Sequence, residues 1–287
     1  MYYIVNVLLC VIVLFLVFVC RQVSMNVYSK DGIAIACLMR KPIDLPLWLK
    51  HHRNMGVTHF FIRLEDSPGF EDILNTQKDV YLEIGQSDQH NNYTTLQTRQ
   101  INFVNKCIHM CNIKGIKWIF HIDADELLHG DLSFLYTLDP QYQLIRMENA
   151  EALFDKNQKH CFHSTQFLRC SLNAPCRSYV NGKGGGRVSS ELGIAGPHHF
   201  SYKSEYIGDF VYEAPFQQLG VLHFDSCSFG AWVEKFHHLG KQNGDNIPFP
   251  YYRESIESAN QAFKVYSNKT HSDVAKNLPK HIVWKKD

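Results

Sequence analysis

Between Ile33 and Ile122, short apolar runs alternate with segments of helical period, and no other feature of the chain limits its fold as much. IAIACLM (33 to 39) reads as a buried strand, and DLPLWLKHHRNMG (44 to 56) as a helix with an Asp cap, Pro46 in its first turn and Gly56 at its end. THFFIRL (58 to 64) is a second strand, a short helix follows around FEDIL, and DVYLEI (79 to 84) is a third strand. A long helix is predicted from Tyr93 to Asn112, where Leu96, Phe103, Val104, Cys107, Ile108 and Cys111 keep three- and four-residue spacing. KWIFHI (117 to 122) is the fourth strand. Strands separated by helices imply parallel pairing, because each helix carries the chain back along the sheet before the next strand begins. The predicted class is α/β, a Rossmann-like sheet flanked by helices.

The fourth strand runs straight into Asp123, Asp125 and Glu126, three carboxylates within four residues in KWIFHIDADELLHG. Like charges this close raise one another's pKa unless a cation compensates them. In an open α/β sheet the carboxyl ends of the strands line the ligand crevice, and residues two apart in extended backbone point to one side. Asp123 and Asp125 therefore converge there as hard oxygen ligands, a pattern that suits Mg²⁺ or Mn²⁺ together with phosphate. A solvated strand-to-helix turn is the bland reading of the same residues.

Three further stretches carry chemistry. NGKGGGRV places Lys183 and Arg187 around three glycines, which reads as a loop whose backbone approaches an anion closely while two cations offset diphosphate charge; the same loop would serve as a lid, and a plain surface linker is the alternative. Asp66, in RLEDSP, follows the second strand and either contacts a ligand or simply starts the turn SPG. GPHHF sets His198 and His199 side by side directly after Gly-Pro, where a histidine is either structural or a ligand. In LHFDSCSFGAWVEKF, Trp232 and Phe236 sit four apart and read as the packing face of a helix.

The first residues break the pattern. Ile4 to Cys20 is almost continuously apolar, interrupted only by Asn6, and reads as a single-pass membrane anchor over 1 to 22 with a short stem over 23 to 31. A signal peptide competes, but a basic leading segment and a clear small-residue cleavage site are both missing. Arg21 and Lys30 follow the segment, which by the positive-inside tendency keeps the domain cytosolic, whereas a Golgi-type enzyme would have the opposite topology; the side stays open. Lys plus Arg is 29 against 28 for Asp plus Glu, a net charge of +1, so nothing global points to nucleic acid. Cys161, Cys170, Cys176 and Cys227 lack zinc spacing and read as buried thiols, or as a disulfide among the first three if the domain is lumenal. The sequons at Asn92 and Asn268 are no more than chance supplies.

The order of segments RKPIDLPLWLKHHRNMGVTHFFIRLEDSP, RQINFVNKCIHM, KWIFHIDADELL, NGKGGGRV, GPHHF and LHFDSCSFGAWVEKF resembles the GT-A glycosyltransferases related to families 2 and 92, over residues 32 to 240. HIDADELL and WLKHHRNMGVTHFFI are the most specific parts. The chain departs at MRKPID, where many relatives carry Lys-Asn-Glu, so no contact is carried over there. The resemblance implies a GT-A domain over 32 to 245 with a mixed sheet flanked by helices, followed by a helical extension over 246 to 287. It implies a UDP- or GDP-sugar donor, Mn²⁺ or Mg²⁺ held by Asp123, Asp125 and His198, and transfer to a hydroxyl of a glycan or glycoprotein. Asp66 matches the nucleoside position, and His223 and Lys235 match a late motif beside the donor phosphates. Inversion, which the resemblance also implies, needs one carboxylate as base; Glu213 leads, with Asp209, Glu191 and Asp225 behind it. A metal-dependent nucleotidyl- or phosphotransferase and a non-catalytic anchored carbohydrate-binding module are the other classes, the first without a GxxxxGKS loop to support it.

Overall fold

A computed structural model describes residues 32–87, 93–153, 160–170, 179–202, 210–225, 229–241 and 250–266. The predicted anchor and stem, both sequons, Asp209, Cys176 and Cys227 lie outside these residues. In chain order the elements are β1 (Ile33–Met39), α1 (Leu45–Asn54), β2 (His59–Glu65), α2 (Glu71–Asn75), β3 (Val80–Gly85), α3 (Tyr93–Lys114), β4 (Trp118–His121), β5 (Glu126–Gly130), β6 (Leu144–Met147) and β7 (Asn149–Ala152). They continue with β8 (Phe167–Arg169), β9 (Lys183–Arg187), β10 (Leu192–Gly196), β11 (His199–Tyr202), β12 (Val211–Ala214), β13 (Leu219–His223), α4 (Phe229–Lys241) and α5 (Pro250–Tyr266).

Seven strands form a mixed sheet in the order β12-β6-β9-β4-β1-β2-β3. The half formed by β4, β1, β2 and β3 is parallel, as the strand-helix alternation predicts. β1 lies inside it and is buried along its whole length, with Ile33, Ile35, Cys37 and Met39 packed into one apolar cluster and Ala34 and Ala36 into another. The small alanines leave room for α3, whose Phe103, Val104, Cys107, Ile108 and Cys111 fill the second cluster. Gly115 ends that helix with φ of 72°: Ile116 N–H donates to Cys111 O at 3.0 Å and Gly115 N–H to Asn112 O at 3.2 Å, closing a Schellman motif.

α1 starts where predicted, the Asp44 carboxylate accepting from Leu47 N–H at 3.0 Å. Its buried face grips β5, the strand that follows the carboxylates. Trp48 Nε1 donates to Glu126 O at 2.8 Å, while His52 Nδ1 donates to Trp48 O at 2.8 Å and its Nε2 accepts from Leu128 N–H at 3.1 Å. Burial, with His51 alongside, pushes the His52 pKa well down, and the neutral tautomer satisfies both contacts.

A second sheet, β5-β13-β7-β8, begins where β4 leaves off. β13 runs antiparallel to β5 and parallel to β7, and its register sets His223 opposite Glu126 on one side and Glu151 on the other. The β10–β11 hairpin packs Leu192, Ile194 and Phe200 against α3. Trp232 and Phe236 are fully buried on α4, as their spacing predicts, and α5 is the described part of the predicted C-terminal extension.

One expectation fails in the fold. NGKGGGRV is neither a surface loop nor a lid: Lys183 to Arg187 is an interior strand, antiparallel to β4 and β6. Its glycines answer to side-by-side packing, since a Cβ on Gly185 would lie 2.4 Å from the Phe120 ring and one on Gly186 would lie 2.5 Å from Leu192. The described cysteines divide between the two states the sequence left open. Cys37, Cys107 and Cys111 are free and buried, but Cys161 and Cys170 are each in a disulfide. Among the described residues no helix is long and apolar enough to cross a membrane.

Candidate active site

β4 delivers Asp123 and Asp125 to the carboxyl edge of the sheet, where a tight turn leads into β5. Glu126 N–H donates to Asp123 O at 3.2 Å and the Glu126 carboxylate accepts from Asp123 N–H at 2.6 Å. The repulsion foreseen for the three carboxylates is relieved mainly by cations of the chain itself, and these split the site in two.

In the first half, Lys183 Nζ donates to Asp123 Oδ2 at 2.5 Å and lies 3.3 Å from Glu126 Oε2; Gln100 Nε2 donates to Asp123 Oδ1 at 3.1 Å. Both Asp123 oxygens are thus held by protein donors. Burial pushes the Asp123 carboxyl up, but Lys183 and then His121 outweigh it and keep the pKa below the usual range. Burial opposes the Lys183 charge as well, and Asp123 with Glu126 holds its pKa above the ordinary value. Glu126 goes the other way, raised by burial and by Asp123 against the pull of Lys183. The Tyr179 hydroxyl donates to Glu126, and its ring packs between His198 and His223, with centroids 4.9 and 5.0 Å away.

In the second half, His223 Nε2 lies 3.8 Å from Asp125 Oδ2, and its Nδ1 lies 3.4 Å from Glu151 Oε1. Burial lowers the His223 pKa, yet Asp125 and Glu151 carry it up to about 10. Lys235 Nζ, from α4, reaches Asp125 Oδ2 at 3.2 Å and also donates to Asp225 Oδ1. Asp225 arrives because the chain after β13 runs back along the turn, Phe224 N–H donating to Asp125 O at 2.8 Å. Asp125 is held well below the usual carboxylate range: burial raises it, and Lys235 followed by His223 more than reverses that.

Asp125, His223 and Asp225 each offer a ligand atom within 4.8 Å of the others, the one such trio among the described residues. Two carboxylate oxygens and an imidazole nitrogen suit Mg²⁺ or Mn²⁺. The orientation of His223 fits as well: Nε2 faces the carboxylates while Nδ1 is directed at Glu151, the usual outer partner of a ligating histidine.

The other predicted residues are placed as follows. His198 is not in that trio; its Nδ1 donates to Gly182 O at 2.7 Å, and burial with Lys183 nearby lowers its pKa to about 3. His121 Nδ1 donates to Pro197 O at 2.8 Å, tying the GPHHF turn to the end of β4. Asp66 stands at the carboxyl end of β2, two strand spacings or about 10 Å from β4. Its φ is 45°, and its carboxylate accepts from Ser87 and lies 3.8 Å from Arg40 Nε. Arg187 is at the far end of β9, its guanidinium 4.5 Å over the Trp118 ring, so it does not join Lys183 in a diphosphate clamp. Glu191 is exposed just beyond it, remote from Asp123. Glu213 is on the edge strand β12, exposed and paired with Arg146 at 2.5 Å. Glu151, Tyr179 and Gln100 went unread in the sequence, each being a single polar residue in a short segment.

No protein-family profile matches the chain. No curated protein matches it either. Among solved structures, HddC from Yersinia pseudotuberculosis is similar at 8% identity and a TM-score of 0.39, over 66% of this chain and 92% of that one. A protein described as a glucose-1-phosphate thymidylyltransferase from Bacillus anthracis, in complex with a sucrose, is similar at 10% identity and a TM-score of 0.31, over 54% and 70% of the two chains. At these scores neither likeness bears on substrate or activity.

Proposed function

We propose that this chain is a metal-dependent glycosyltransferase that moves a sugar from a nucleotide-sugar donor to a hydroxyl of a glycan or glycoprotein acceptor. The observation that carries the reading is the compact Asp125–His223–Asp225 trio at the carboxyl edge of a mixed α/β sheet, backed by Glu151. These residues, in place of Asp123 and His198, would hold Mn²⁺ or Mg²⁺, which supplies charge neutralisation on a leaving diphosphate. Asp123 acts differently: fixed by Lys183 and Gln100, it shapes the pocket wall and keeps the turn to β5 in place. Asp66, two strands away on the same edge, is at a distance a nucleoside diphosphate spans. Its positive φ in a non-glycine residue is the kind of backbone strain that ligand sites retain. For the acceptor proton the reading keeps Glu213 and Asp209 and gives up Glu191, which lies at the wrong end of the sheet. The disulfide bonding of Cys161 and Cys170 favours an oxidising compartment, and residues 4 to 20 would hold the chain on its membrane with the domain on that side.

The test is product analysis with the full chain in detergent, a panel of nucleotide sugars and Mn²⁺. Release of nucleoside diphosphate with free or transferred sugar, abolished by chelator and by Asp125→Asn, is expected. Release of pyrophosphate from a nucleoside triphosphate and a sugar phosphate would make the chain a nucleotidyltransferase instead. No turnover of any kind, in protein shown to bind Mn²⁺, would favour a non-catalytic binding module.

A further inference from the structure

The two lysines of the site differ in one physical respect. Lys183 is 0% exposed and enclosed by Asp123, Glu126 and the Tyr179 ring. Lys235 holds an equivalent pair of carboxylates, Asp125 and Asp225, but its side chain is 31% exposed, and it reaches them from α4 rather than from the sheet. Its ammonium contacts Asp125 Oδ2, the same oxygen that faces His223 Nε2, and Asp225 Oδ1. Lys235 therefore stands where a divalent ion shared by Asp125, His223 and Asp225 would stand, and the two cannot occupy the gap together. A compact ammonium on a flexible four-carbon stem with an open side can swing out; one enclosed like Lys183 cannot.

We propose, resting on the metal reading above, that Lys235 is a displaceable counter-cation that couples metal binding to diphosphate binding. In the metal-free protein it neutralises Asp125 and Asp225. When a divalent ion enters, the ammonium is expelled toward the open side, and a diphosphate on the metal gives it an anion to rest on. Metal alone must expel the ammonium from its two carboxylates to an open side that offers no anion in return, and diphosphate alone meets a lysine already paired with two carboxylates. Each ligand therefore strengthens the other, and by linkage the factor is the same in both directions.

Equilibrium dialysis of the full chain at buffered free Mn²⁺, with and without inorganic pyrophosphate, reads this directly. Pyrophosphate should tighten Mn²⁺ binding to the wild type by about tenfold or more, within the usual span of coupling between sites. Lys235→Met should bind Mn²⁺ alone about tenfold more tightly than the wild type and lose most of the pyrophosphate enhancement. Lys235→Gln, which keeps a donor for the carboxylates without the charge, should behave likewise and replaces the methionine variant if that one does not fold. Equal Mn²⁺ affinity in wild type and variants, with Asp125→Asn abolishing binding, would overturn the displacement while leaving the metal reading in place. No Mn²⁺ bound by wild type or variants, with or without pyrophosphate, would overturn both.

Discussion

Asp123 and Asp125 are chemically alike and two residues apart, yet their surroundings give them different work. Asp123 accepts from a fully buried lysine and from Gln100, so Asp123→Asn leaves Lys183 with Glu126 as its main partner. Breaking a buried pair from one side costs about 3 to 5 kcal/mol, and Asp123→Asn should approach the lower figure. Lys183→Met, which leaves Asp123 and Glu126 facing each other, should cost about as much. A Lys183 variant is thus expected to lose stability before donor affinity, contrary to what a loop lysine would do. Asp125 faces a part-exposed lysine and retains neighbours that share its load. Asp125→Asn should change the urea midpoint little, while metal-dependent turnover falls by about a hundredfold or more. Urea unfolding of the three variants, set beside Mn²⁺-dependent transfer, checks the division; equal destabilisation by Asp123→Asn and Asp125→Asn would refute it. Glu191→Gln, exposed and remote, should leave both measurements unchanged.

The elements differ in how openly the sequence announces them, and the difference is physical. β1, α1, α3 and β4 carry their own period, cap or helix-ending glycine, so local reading finds them within a residue or two. β9 carries no such signal. Five residues of sequence KGGGR favour a loop by local propensity, and only the ladders to β4 and β6, with the Phe120 ring lying against Gly185, make them a strand. Gly185→Ala should therefore destabilise by about 1 to 3 kcal/mol, as overpacking does, and lower the melting temperature by several degrees. An unchanged melting curve would show that Phe120 moves aside freely. The site divides in the same way. Asp123 and Asp125 were legible because they end a strand; His223 and Lys235 were legible only through the order of motifs. Glu151, Tyr179 and Gln100 come from β7, the segment before β9, and α3, and it is strand register and burial that bring them to the carboxylates.

Across the whole molecule the charges nearly cancel at +1, so its response to pH is set by a few buried groups rather than by net repulsion. His52, His121 and His198 are buried imidazoles held below the ordinary value, His52 by burial with His51 alongside. His121 lies against Lys183, Asp123 and Pro197 O, and burial followed by Lys183 lowers its pKa to about 4. His198, near Lys183, Asp123 and His121 and bonded to Gly182 O, falls to about 3 by the same causes. In the unfolded chain all three return to about 6.5. Above that pH the two states bind the same protons at these positions, and the contribution to stability is fully present. As pH falls, the unfolded chain takes up three protons that the fold refuses, so stability is lost at up to about 1.4 kcal/mol per pH unit for each histidine. The loss should be visible from pH 6.5 down to 5, before the ordinary carboxylates of the unfolded chain begin to add to it. Urea midpoints of the metal-free protein across that interval measure the slope. His198→Gln removes one of the three titrations and should lower the slope by roughly a third, since the amide can keep the bond to Gly182 O without ever taking up charge. A flat profile from pH 6.5 to 5, or an unchanged slope in His198→Gln, would mean that these imidazoles gain protons in the folded state as readily as outside it. In that event the burial on which their low pKa values chiefly depend, with the Lys183 charge behind it, would be looser than the contacts of His121 with Pro197 O and of His198 with Gly182 O require.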